Sequence, residues 1–175
     1  MLSGVVLHAA DFRNVSWGMV PSAVKRAETA KLVEEHEGEL VYNTSLGGVA
    51  VAVRYNFSSG RLARSRYEFV KQYRESEKYV EAYEALQAQL VKKYGEPVLR
   101  EVRCDDTFYR DFPGRWGTGI VVGKLSEEAV WRVGAMDVRH EMRALPGGTV
   151  GHFVEYRPYV VPRGELQNAE VYGAL

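Results

Sequence analysis

Hydrophobic and polar positions alternate most regularly between Gly47 and Val70, where Val49, Val51, Val53, Tyr55 and Phe57 fall on one face of an extended chain. Ser58-Ser59-Gly60-Arg61 breaks the pattern with a glycine able to take positive φ, and Leu62 to Val70 resumes it. The spacing predicts an antiparallel hairpin with one apolar face. From Arg74 to Tyr94 the period lengthens: Tyr79, Tyr83, Leu86, Leu90 and Tyr94 recur every third or fourth residue, predicting a helix that Gly95 caps and Pro97 stops. Neither element can bury its apolar side alone. The tyrosine and leucine stripe is therefore expected to cover the valine face.

Around this pair the pattern predicts a short helix from Pro21 to about Ala30, an exposed charged connection over Lys31 to Gly38, and a strand over Leu40 to Leu46. Further strands are expected at Val98 to Cys104, Thr118 to Lys124, Glu128 to Val133, Asp137 to Leu145 and Thr149 to Tyr156. The last two can be registered across Pro146-Gly147-Gly148. Asp137 opposite Arg157 and Arg139 opposite Glu155 pair unlike charges, whereas a slip of two residues would set Asp137 against Glu155. That register puts Val138, His140, Met142 and Ala144 on the inner face with Tyr156, Val154, His152 and Val150.

The predicted architecture is α+β, one domain over residues 1–175, with an antiparallel sheet of about six to seven strands and two main helices packed on one face. Residues 1–11 read as a signal remnant or a first strand, and 158–175 as an irregular tail.

Composition narrows the function classes. A chain of 175 residues with 46% hydrophobic content can bury one sizeable core. Its 23 basic and 23 acidic residues cancel, so no overall field favours nucleic acid, and any charged partner must be recognised locally. Cys104 is the single cysteine, which excludes an internal disulfide and multi-cysteine zinc sites. No apolar run reaches the length of a transmembrane helix.

Candidate chemistry is sparse. Gly117 to Leu125 has glycines and Gly123-Lys124, yet lacks the earlier glycine of a phosphate loop and carries Leu125 where a hydroxyl should stand. His140-Glu141 opens like a zinc protease motif, but Ala144 occupies the place of the second histidine. Asp105 and Asp106 put negative charge beside Cys104 and argue against a thiolate nucleophile. His140 and His152, diagonal neighbours in the predicted register, form a candidate ligand or metal pair, or else are core histidines. Arg61, Arg64, Arg66 and Lys71 form a candidate binding row for an acidic partner, or else a solvated face.

The phrase FRNVSWGMVPSAVKRAE, Phe12 to Glu28, followed by a strand and then RYNFSSGRL, Arg54 to Leu62, resembles small bacterial envelope proteins. It is similar to the SmpA or BamE group of outer-membrane assembly lipoproteins and to β-lactamase-inhibitor-like domains. Val20 stands where such helices carry a Ser or Thr cap. The resemblance implies an α+β domain that binds other macromolecules and supplies no catalytic residues.

The expected function is accordingly a non-enzymatic binding or structural protein, periplasmic or envelope-bound, whose partner is another protein or an acidic envelope component. No cofactor is expected. The alternative is a small enzyme or ligand-binding domain with a pocket near His140 and His152, in which case those histidines should line a deep cavity.

Overall fold

The computed structural model describes residues 11–159, and Met1 to Ala10, with most of the predicted tail, lie outside them. The described chain builds α1 (Pro21–Ala27), β1 (Lys31–His36), β2 (Glu39–Leu46), β3 (Val49–Ser58), β4 (Arg61–Phe69) and α2 (Glu77–Tyr94). There follow β5 (Leu99–Cys104), α3 (Thr107–Arg110), a 3-10 turn at Pro113–Arg115, α4 (Trp116–Val121), β6 (Leu125–Val133), β7 (Met136–Ala144) and β8 (Val150–Pro158). All the strands join one antiparallel sheet of eight in the order β1-β2-β3-β4-β8-β7-β6-β5. Two four-stranded meanders thus meet where β4 pairs β8.

The α+β expectation holds, with more strands than expected and, among the described residues, only one long helix. Lys31–His36 is a strand rather than a connection. Every residue of β1 is exposed, so no buried face marks it in the sequence, and its charges protect a free sheet edge. The segment expected as a strand over Thr118 to Lys124 is instead α4 and its turn. A short apolar run is ambiguous in period, and glycine decides the matter here: a Cβ on Gly117 would lie 2.2 Å from the Ser76 carbonyl oxygen, so glycine alone lets α4 meet the start of α2.

The helices begin and end for local reasons. Glu28 closes α1 by donating its N–H to Val24 O at 2.9 Å, and its carboxylate then takes the N–H groups of Thr29 and Ala30, each at 2.8 Å. The helix therefore stops before Ala30. Gln72 ties the chain ahead of α2 to β8, giving Nε2–H to Val150 O at 2.9 Å and accepting Val150 N–H at 3.1 Å. Tyr79 Oη donates to the same amide at 2.9 Å, so α2 starts at Glu77 rather than at Arg74.

The expected antiparallel hairpin forms, and the last two strands follow the expected register. Ser59 and Gly60 both take positive φ, 49° and 70°, the geometry a two-residue turn needs to match strand twist. Asp137 faces Arg157, Arg139 faces Glu155 and Met142 faces His152. Val51, Val53 and Tyr55 are buried on the inner face, while Val49, at the hairpin's far end, is 42% exposed.

Helix α2 lies across the inner face and joins two clusters. Leu90 belongs with Val53, Tyr55, Trp131 and Val154, whereas Tyr79 and Tyr83 pack with Ile120 of α4, Met142 and Val150. The stripe expected over the valine face thus covers that face only in part. Its first turns sit on the second meander.

Candidate functional site

The structure keeps Arg64 and Arg66 together on the outer face, sets Lys71 apart from them on the helix side, and brings the predicted histidines together. Arg64 lies 3.6 Å from Glu155 and Arg66 3.6 Å from Glu68, with the Arg66 guanidinium 4.7 Å from the Phe153 ring centre. Both belong to a balanced charge lattice on the outer face, where Arg54 bridges Glu39 and Glu68 and Arg139 meets Glu128 at 2.8 Å. Arg61 instead donates to Gly18 O at 3.2 Å. Lys71 lies on the helix side, its Nζ 4.8 Å from the Tyr73 ring centre. The four cations form no single patch.

On the inner face, alternation along β7 and β8 turns His140 and His152 toward α2, which presents Tyr83 and, one turn later, Gln87. His140 Nδ1 is 2.8 Å from Gln87 Oε1, and His140 Nε2 is 2.8 Å from His152 Nε2. Tyr83 stacks on His140 with ring centres 4.0 Å apart and planes within 8°, and Phe69 stacks on His152 at 4.7 Å. Burial holds His140 well below its ordinary pKa, helped by His152 and Arg100, and pulls His152 down to about 4. Both rings are therefore neutral at pH 7. A proton on Nδ1 of His140 then makes its Nε2 an acceptor, and His152 donates from Nε2.

Glu127 of β6 adds a buried carboxyl to this face. Burial, reinforced by Glu84 and opposed by Arg100, pushes it up to about 7. Oε1 has no hydrogen-bond partner among the described residues. Because the folded-state value lies above the ordinary 4.5, the folded protein binds more protons between those pH values and loses stability as pH rises through about 7. Glu127→Gln is therefore expected to stabilise the protein by about 2–3 kcal/mol at pH 8 and by nearly nothing at pH 4.5. Urea unfolding of both proteins at the two pH values checks this, and an equal effect at both would contradict it.

Beside the histidines a cavity of about 650 Å³ opens between α2 and the sheet. One side of α2 lines it with Tyr79, Ala82, Ala85, Leu86, Gln89 and Lys93, and Tyr67, Phe69, Tyr156 and His152 line the opposite wall. Ala82 and Ala85 leave the space that larger side chains would fill. His152 reaches this wall, while His140, fully buried, sits behind it.

The two histidines could be placed together from the sequence. Gln87 and Glu127 were missed, although both carry a signal. Gln87 is a polar residue inside the stripe that runs from Tyr83 to Leu90, and Glu127 alternates in phase with Leu125, Ala129 and Trp131. The 2.8 Å contact between their Nε2 atoms makes the histidines a hydrogen-bonded pair, and among the described residues no group of three or more His, Cys, Asp and Glu side chains could hold a metal ion. Also among them, no helix is long and apolar enough to cross a membrane. Cys104 is half-buried at the end of β5, its thiol directed at Asp106 O, 3.0 Å away. Compared with protein-family models, curated proteins and solved structures, the chain has no match.

Proposed function

We propose that this protein is a binding domain whose ligand is a small, largely apolar molecule held in the cavity beneath α2. The observation that carries the reading is the cavity itself: about 650 Å³, walled by aromatic rings, with one imidazole among them. Its size is that of small-molecule sites, and its lining mixes aromatic and aliphatic groups with Asp11, Arg13, Lys71, Gln89, Lys93 and His152. The arginine row lends less support to a macromolecular partner than the sequence suggested, because Arg64 and Arg66 already face Glu155 and Glu68. An envelope setting rests on the resemblance of Phe12 to Leu62.

Titration with the apolar fluorophore N-phenyl-1-naphthylamine tests the reading. Saturable one-to-one binding is expected, weakened about tenfold by Ala82→Trp, which places an indole in the cavity. Absence of saturable binding, or equal affinity in the variant, would overturn it.

A further inference from the structure

The cavity wall offers one imidazole whose hydrogen bonding is set from behind. His152 spends Nε2 on His140, while its Nδ1 takes part in none of the side-chain hydrogen bonds found among the described residues and is not one of the buried polar atoms shut away from the cavity without a partner. Behind it the chain runs His152, His140, Gln87, each link 2.8 Å long, and ends on an amide whose Nε2 is buried without a partner. A half-turn of that amide exchanges its oxygen for its nitrogen. With the oxygen toward His140, protons sit on His140 Nδ1 and His152 Nε2, and His152 Nδ1 is an acceptor. With the nitrogen toward His140, both rings change tautomer and His152 Nδ1–H becomes a donor. In either state the chain carries no net charge and leaves one amide atom unpaired.

We propose that His152 Nδ1 is the polar contact for the cavity's ligand, that Gln87 through His140 sets it as acceptor or donor, and that the ligand is an uncharged apolar molecule bearing one hydroxyl or carbonyl group. This rests on the cavity being the binding site, as argued above. Gln87 and His140 are positioning residues, since neither lines the cavity. Lys71 and Lys93 line it, each over a tyrosine ring, Tyr73 and Tyr94, at 4.8 and 4.7 Å, together with Asp11 and with Arg13, which is paired to Glu28. A ligand anion would be drawn to the two lysines instead, which gives the test its competing arm.

Four naphthalenes of similar size separate the possibilities by fluorescence titration of the full chain: 2-ethylnaphthalene, 2-naphthol, 2-acetonaphthone and 2-naphthoate. The proposal expects naphthol and acetonaphthone to bind about three- to tenfold tighter than ethylnaphthalene, the gain of one net hydrogen bond. His152→Phe should abolish that preference while leaving ethylnaphthalene binding within about twofold, since the ring is kept. Gln87→Leu should weaken naphthol more than acetonaphthone, because a lone pair tolerates the lost partner better than an N–H and His152 is left as a donor.

Nitrogen-15 spectra of the wild-type histidines give a readout independent of variant folding: naphthol should shift the unprotonated Nδ1 of His152 toward lower frequency. Equal binding of ethylnaphthalene and naphthol, an unmoved Nδ1 resonance, or naphthoate binding tenfold tighter than naphthol would overturn the inference while leaving the cavity reading intact. Failure of all four to bind would remove the cavity reading itself.

Discussion

Trp131→Ala is expected to destabilise the protein by about 3–5 kcal/mol, the range for removing a buried aromatic side chain. Trp131 is among the largest fully buried side chains, 1% exposed, and it belongs to the cluster that also holds Leu90, Tyr55 and Val154. Its indole N–H donates to Gly95 O at 2.8 Å, joining β6 to the C-terminal cap of α2. Gly95 itself has φ of 81°, so the bond holds a chain reversal as well as a helix end. Loss of the indole removes apolar burial and leaves that carbonyl unpaired together. Trp131→Phe, which keeps much of the ring and drops only the donor, should cost about 1–2 kcal/mol. Urea denaturation checks both values. A loss below about 1 kcal/mol for the alanine variant would mean that α2 does not depend on this contact.

Glu28→Ala should cost a similar amount, about 3–5 kcal/mol at pH 7, because it breaks a buried, fully bonded ion pair. The Glu28 carboxylate takes both arms of Arg13 at 2.9 Å, the Tyr55 hydroxyl, and the N–H groups of Thr29 and Ala30 at 2.8 Å. Its side chain is fully buried and that of Arg13 only 19% exposed. Burial alone would raise the carboxyl pKa, but the bonds from Arg13, Tyr55 and Ala30 outweigh it and hold the pKa below the ordinary 4.5. The sign follows. A folded-state value beneath the unfolded one contributes stability that is present above pH 4.5 and lost as pH falls through the folded value. The difference between wild type and Glu28→Ala in urea should therefore shrink as the pH is taken below 4, while Glu28→Gln should cost less than alanine at pH 7 because its amide oxygen still accepts from the backbone. A penalty constant with pH would contradict the account.

How much could be read in advance depends on which physical signal each segment carries. The β3 and β4 hairpin was legible because its apolar alternation and its turn glycine agree. The register of β7 on β8 was legible because unlike charges face one another at two positions, and it placed His140 and His152 together without any motif. β1 was illegible for the opposite reason: an edge strand exposed on both faces is held by backbone pairing, and Leu32 and Val33 are too exposed to show a period. At α4 the sequence Gly117-Thr118-Gly119-Ile120-Val121 favours a strand by composition, and only the approach of Gly117 to Ser76 reveals a helix.

The cavity had no sequence signal of its own. It arises from where α2 lands across two meanders, so that Ala82 and Ala85 come opposite Phe69 and His152 rather than another large side chain. Tyr79 and Tyr83 were correctly placed on the buried stripe, yet they pack with Ile120 and Met142 of the second half of the chain. That shift of the helix toward β7 and β8 leaves the space over Leu46, Gly47 and Val49 open.

Methyl and aromatic NMR of the wild-type chain titrated with 2-naphthol tests most directly whether the cavity beneath α2 is a binding site. Saturable shifts are predicted at Ala82, Ala85, Leu86, Phe69 and His152, with Phe153 on the outer face unmoved. Shifts centred on Phe153 and the outer-face arginines, or no saturable shifts at all, would contradict it.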